Sequence, residues 1–132
     1  MIIENYFFLL AGMMALFFSV GHALWGRRSV LREVRSSEIP LFTKHMLLVI
    51  WDQPTVFHFL SAVALIMASL STQQALMNPL ALFIMAVSFG FFLNYVGRSL
   101  LENRAALAQI IPQTIALVVY FGIIFAGIHT VG

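Results

Sequence analysis

Long apolar runs alternate with short polar segments along this chain, and the runs near 5–26, 46–69, 79–97 and 105–127 are each long enough to cross a hydrocarbon core, which takes about 20 helical residues. The pattern predicts an all-α polytopic membrane protein, a four-transmembrane-helix antiparallel bundle forming one integral membrane domain over 1–132. The polar segments supply the joints. In 27–44, Val30, Leu31 and Val34 can face lipid while Arg27, Arg28, Arg32 and Arg35 face water, so a short interfacial helix is expected between the first two spans, ending at Ser36 and Ser37. Pro40 suits the first turn of the second span, where its missing amide has no intrahelical partner. The uncharged turn at 70–78 closes with Asn78 and Pro79, read as a cap and first-turn pair for the third span. At 98–104, Ser99 with Glu102 three residues later reads as a capping box opening the fourth.

Charge orients this pattern. All seven Lys and Arg side chains fall in 27–44 and 98–104, and cytoplasmic loops carry the Lys/Arg excess, which predicts that both basic segments are inside and both termini outside. Glu4 precedes the first run and no Lys or Arg does, the reverse of a secretory signal, so that run is expected to stay as a span. Such economy fits a small bacterial inner-membrane protein. With 61% hydrophobic and 9% charged residues, little is left for a soluble domain, and function is expected in or beside the bilayer. The net charge of +2 arises from the inner loops, where it would meet lipid headgroups; membrane lipids are expected partners and nucleic acid is not. Cysteine is absent, which removes disulfides, thiolate metal sites and acylation on Cys.

Counted at about 1.5 Å per residue from the basic boundaries, His22 falls roughly 8 Å deep, Asn94 roughly 6 Å, Asp52 roughly 12 Å and Gln113 roughly 14 Å. Four distant residues thus gather in one slab on the cytoplasmic side, with Ser19, Gln53 and Gln109 at similar depth and His58 near the midplane. Asp52 calls most for explanation, because an aspartate within a membrane helix costs about 2.5–3.5 kcal/mol. It is expected to face the bundle and to pair with His22 across the first hairpin. Pro54 and Pro112 are expected to kink the second and fourth spans and free the carbonyls of Ile50 and Ala108. Trp25 and Trp51 would line the rim. Small residues at helical spacing, Ala11, Ala15, Ser19, His22 and Gly26 in the first span and Ala86, Gly90, Asn94 and Gly97 in the third, permit close helix approach and turn His22 and Asn94 inward.

Other polar groups admit blander readings. His45 beside Lys44 and His129 at the far end suit headgroup level, and Asn94, Ser19 and Gln109 suit interhelical hydrogen bonding. His58 needs a partner such as Thr55, Ser61 or a group on the fourth span. A weak echo links 26–33 with 97–102, and Pro54 and Thr55 with Pro112 and Thr114, as two parallel-oriented repeats would, although the topology alone also favours Arg, Gly and Ser at inner boundaries.

These features point to a cytoplasm-facing polar pocket of His22, Asp52, Asn94, Gln113 and His58 that binds a small or amphipathic ligand or exchanges protons, as a transporter-like or lipid-binding protein would. The alternative is a non-catalytic accessory subunit of a larger membrane complex, whose polar layer only pins helices in register; a stoichiometric complex partner would fit that reading, and a ligand-bearing monomer or homo-oligomer the first. A haem-binding electron carrier is a weaker third reading: it needs two imidazoles at matching depth, whereas His22 and His45 differ by about 6 Å and His58 has no histidine opposite. No cofactor or metal is expected. No nucleophile–base pair, metal-binding repeat or phosphate loop points to catalysis, so the chain does not read as an enzyme.

Overall fold

A computed structural model describes residues 2–102 and 104–130, and at 27, 105, 106 and 109 the backbone only. The described residues are helical, with no strand among them. Helix α1 spans Tyr6–Arg28, α2 Val30–Ser36, α3 Leu41–Ser69, α4 Gln74–Glu102 and α5 Ile111–His129, with a 3-10 segment at Arg104–Ile110 ahead of α5. Four stretches, Tyr6–Ser36, Leu41–Ser69, Gln74–Glu102 and Ile111–His129, are long and apolar enough to cross a membrane, as the spans of an integral membrane protein are.

The helix boundaries differ from expectation where a proline or a serine suggested an end. Pro79 lies inside α4, which starts at Gln74, so Asn78 and Pro79 do not open that helix. The Gln74 side chain takes over the end of the turn, donating to the carbonyls of Ala68 (3.0 Å) and Ser71. Ser99 and Glu102 form no capping box because α4 continues through both; Glu102 instead pairs with Arg98 one turn earlier at 2.6 Å. Pro112 is the second residue of α5, a place where its missing amide has no intrahelical partner, so it sits at the head of the helix and not in mid-span. Pro54 is inside α3 as expected. Pro40 immediately precedes α3, and its carbonyl accepts the Lys44 amide at 3.0 Å.

Contacts divide the chain into two compact units, one of Met1–Ala11 with Leu65–Gly132 and one of Gly12–Ala64. In the first, Asn5 is a buried knot. Its Oδ1 caps the start of α1 by accepting the Phe8 amide (3.1 Å), while its Nδ2 donates to the Gln74 side chain (3.2 Å) and to the Gly127 carbonyl in α5 (2.9 Å). The Ser69 carbonyl at the end of α3 accepts the amides of both Glu4 and Asn5. Phe8 packs against Gly127, where a Cβ would come within 2.7 Å of the ring. On α4 the buried line is Gln74, Ala81, Ile84, Ser88 and Ser99. The expected Ala86, Gly90 and Asn94 face is exposed, and a Cβ on Gly90 or Gly97 would meet nothing within 4 Å.

In the second unit, the remainder of α1, the short helix α2 and most of α3 form a helical hairpin. Here the small-residue stripe of α1 is packed, with Ala15, Ser19 and Gly26 buried. α2 is amphipathic: Leu31 is buried and Val30 and Val34 half-buried, while Arg32, Glu33 and Arg35 are exposed. Lys44 reaches back from α3 to the Arg35 carbonyl at 3.1 Å.

Candidate functional site

The hairpin unit contains the densest group of polar and aromatic side chains expected to matter. Gly26 sets its geometry. The Trp51 indole lies directly on Gly26, so close that any Cβ there would overlap it. Trp25 packs against Trp51 with centroids 5.8 Å apart, and one turn before Gly26 in α1 the His22 imidazole stacks on Trp51, with centroids at 4.4 Å and planes at 14°. His22 Nδ1 then meets Thr55 Oγ1 at 2.7 Å, and Ser19 Oγ donates to the Thr55 carbonyl at 2.9 Å. Farther along, His58 sits edge-on to Phe18 and Phe57, and its Nδ1 is buried without a hydrogen-bond partner among the described residues.

These pairings define an antiparallel register, Gly26 with Trp51, His22 with Thr55 and Phe18 with His58. One residue from Gly26–Trp51, taken in opposite directions along the two helices, puts Trp25 level with Asp52. His22 is therefore about 4.5 Å farther from the basic loop than Asp52, the reverse of the order counted from Lys44. The cause is the length of α3. Its first two turns run on past the level of Arg28, where α1 ends, so Lys44 does not mark the same level as Arg28.

Asp52 is exposed, and among the described residues it forms no ion pair or hydrogen bond. His22 bonds Thr55 instead, because the register sets Thr55 beside it, but Asp52 remains within electrostatic reach of His22, and His22 within reach of His58. Gln53 beside it is exposed as well. Asn94 and Gln113 belong to the other compact unit, are exposed, and make no hydrogen bond among the described residues. Gln109 lies outside the described side chains. His45 and His129 are exposed, and the His129 ring packs on Phe125 with centroids 4.3 Å apart. No group of three His, Asp or Glu side chains able to hold a metal occurs among the described residues.

Thr55 as the partner of His22 and Gly26 as the seat of Trp51 escaped the sequence reading. A signal for both was present: one glycine at the end of a small-residue stripe and one indole early in the next span are complementary in volume, and pairing them fixes which residues face each other beyond. Compared with protein-family models, curated proteins and solved structures, the chain matches none.

Proposed function

We propose that this chain is a small inner-membrane protein, with both termini outside, whose α1–α3 hairpin carries a polar site that binds a small or amphipathic ligand or exchanges protons at the cytoplasmic side. Asp52 is its charge centre, His22 tunes it, and Trp25 and Trp51 form its rim. What supports the reading is the combination of an accessible carboxylate, unpaired among the described residues, with an imidazole held in one orientation by Thr55 and Trp51. Immobilising an imidazole between a hydroxyl and an indole costs side-chain freedom, and a site used for binding or proton exchange repays that through preorganisation.

The test is purification in mild detergent with native mass spectrometry, followed by reconstitution into liposomes under an imposed pH gradient. The proposal expects either a retained small-molecule mass or a proton flux, and loss of that signal in Asp52→Asn. Wild type and Asp52→Asn behaving identically in both measurements would remove Asp52 from any charge role.

A second reading rests on α4. Asn94 is exposed on a face with Ala86 and Gly90, where the glycine leaves open space, and a carboxamide facing hydrocarbon is costly. A partner helix laid on that face would satisfy Asn94 and make the chain an accessory subunit. A stoichiometric protein partner retained through purification, lost in Gly90→Leu, supports this reading.

A further inference from the structure

The rim of this site has a composition with a more specific chemical meaning. Both tryptophans of the chain are in it. Their ring centroids are 5.8 Å apart with planes tilted by 45°, the His22 ring stacks on Trp51, and Trp25 is 55% exposed. The hairpin register puts the Asp52 carboxylate, which has no ion pair or hydrogen bond among the described residues, level with Trp25. Indole faces attract cations through the ring quadrupole, and a carboxylate without a partner supplies the balancing charge. Together they match an organic ammonium, which is weakly hydrated and presents methyl or methylene groups to aromatic faces.

Position selects the rest of the ligand. Asp52 and Trp25 lie close to the Arg28 end of α1, at a boundary where aromatic and cationic residues adjoin; residues of that kind favour the membrane–water interface. From there α1 and α3 run on as apolar helices, with Val20, Phe17, Val56 and Phe59 exposed. A cationic head held at the rim would therefore have its tail along an apolar surface. Inorganic cations gain little from indoles, and an anionic head would be repelled by Asp52.

We propose that the Trp25, Trp51 and Asp52 rim binds amphipathic organic cations, with a quaternary ammonium head at the indoles and an alkyl tail along the hairpin. This rests on the ligand-binding form of the function proposed above. Because the chain has no other tryptophan, its intrinsic emission reports the site directly.

The experiment titrates the full chain in a non-ionic detergent with hexyltrimethylammonium, and in parallel with hexanol and hexyl sulfate, following tryptophan emission. A saturable change with the ammonium alone is expected. Asp52→Asn and Trp25→Leu should each weaken it by about tenfold or more, while Asp52→Glu retains it, and circular dichroism identifies any variant that has lost its helices. Should Asp52→Asn fail to fold, Trp25→Leu read through Trp51 carries the test. Equal responses to hexanol, or unchanged affinity in a folded Asp52→Asn or Trp25→Leu, overturn the proposal. If the ammonium does not bind but retained mass or proton flux still depends on Asp52, the ligand class is wrong and the site stands; if neither depends on Asp52, the site falls too.

Discussion

Gly26 and Thr55 hold the hairpin site in shape, and each can be tested by a change of a few atoms. Gly26→Ala places a Cβ inside the Trp51 indole; the ring must leave its seat or the helices must part, and overpacking of this kind costs about 1–3 kcal/mol. Thermal unfolding in detergent should show a lowered Tm together with a shifted tryptophan emission. Gly90→Ala, where a Cβ meets open space, should change neither unless a partner helix is bound. Thr55→Val preserves shape but removes the hydroxyl from His22. An interhelical hydrogen bond in a membrane is worth about 0.6–2 kcal/mol, so a small drop in Tm is expected. A larger effect is expected on the imidazole: its NMR resonances should broaden as the ring loses its fixed orientation.

At the scale of helices, the most consequential contact is one that hydropathy could not reveal. Asn5 joins the start of α1 to Gln74 in α4 and to the Gly127 carbonyl in α5 while only 3% exposed. Asn5→Leu would strand the Gln74 oxygen and the Gly127 carbonyl, and each buried group left without a partner costs about 1–3 kcal/mol. The expected result is a larger Tm loss than for Thr55→Val, with α1 fraying first in hydrogen exchange. The helices themselves were legible, since an apolar run of membrane length has few alternatives to helix. Their ends were less so. Asn78 with Pro79 and Ser99 with Glu102 look like starts by local chemistry, yet both lie within α4, because Gln74 supplies an end for the turn and Glu102 has Arg98 as a partner. Of the candidate residues, His22, Trp25, Trp51 and Asp52 stand out by residue type, but counting from Lys44 put Asp52 beyond His22, the reverse of their order along the hairpin. Register between helices is set by side-chain volumes meeting in space, here Gly26 and Trp51, and no single-helix pattern encodes it.

For the whole molecule, the proposed orientation depends on charge alone and so can be tested independently of any site. Seven Lys and Arg side chains confined to 27–44 and 98–104 would have to cross the membrane in part if the chain were inverted, and each Lys or Arg at a helix centre costs about 2.5–3.5 kcal/mol on insertion scales. The chain has no cysteine, so single substitutions give a clean background. Thr72→Cys in the exposed turn between α3 and α4, and Thr130→Cys beyond α5, should react with a membrane-impermeant maleimide added outside intact cells. Ser36→Cys at the end of α2, also exposed, should react only after the membrane is opened. Replacing Arg28, Arg32 and Arg35 together by Gln tests the cause. It removes much of the positive bias of the first loop while leaving Leu31 to hold α2, so labelling at Ser36→Cys should become mixed if those charges set the orientation. Unchanged one-sided labelling would instead assign the orientation to Arg98 and Arg104, and the opposite labelling pattern in the unaltered background would place the Asp52 rim on the outer face.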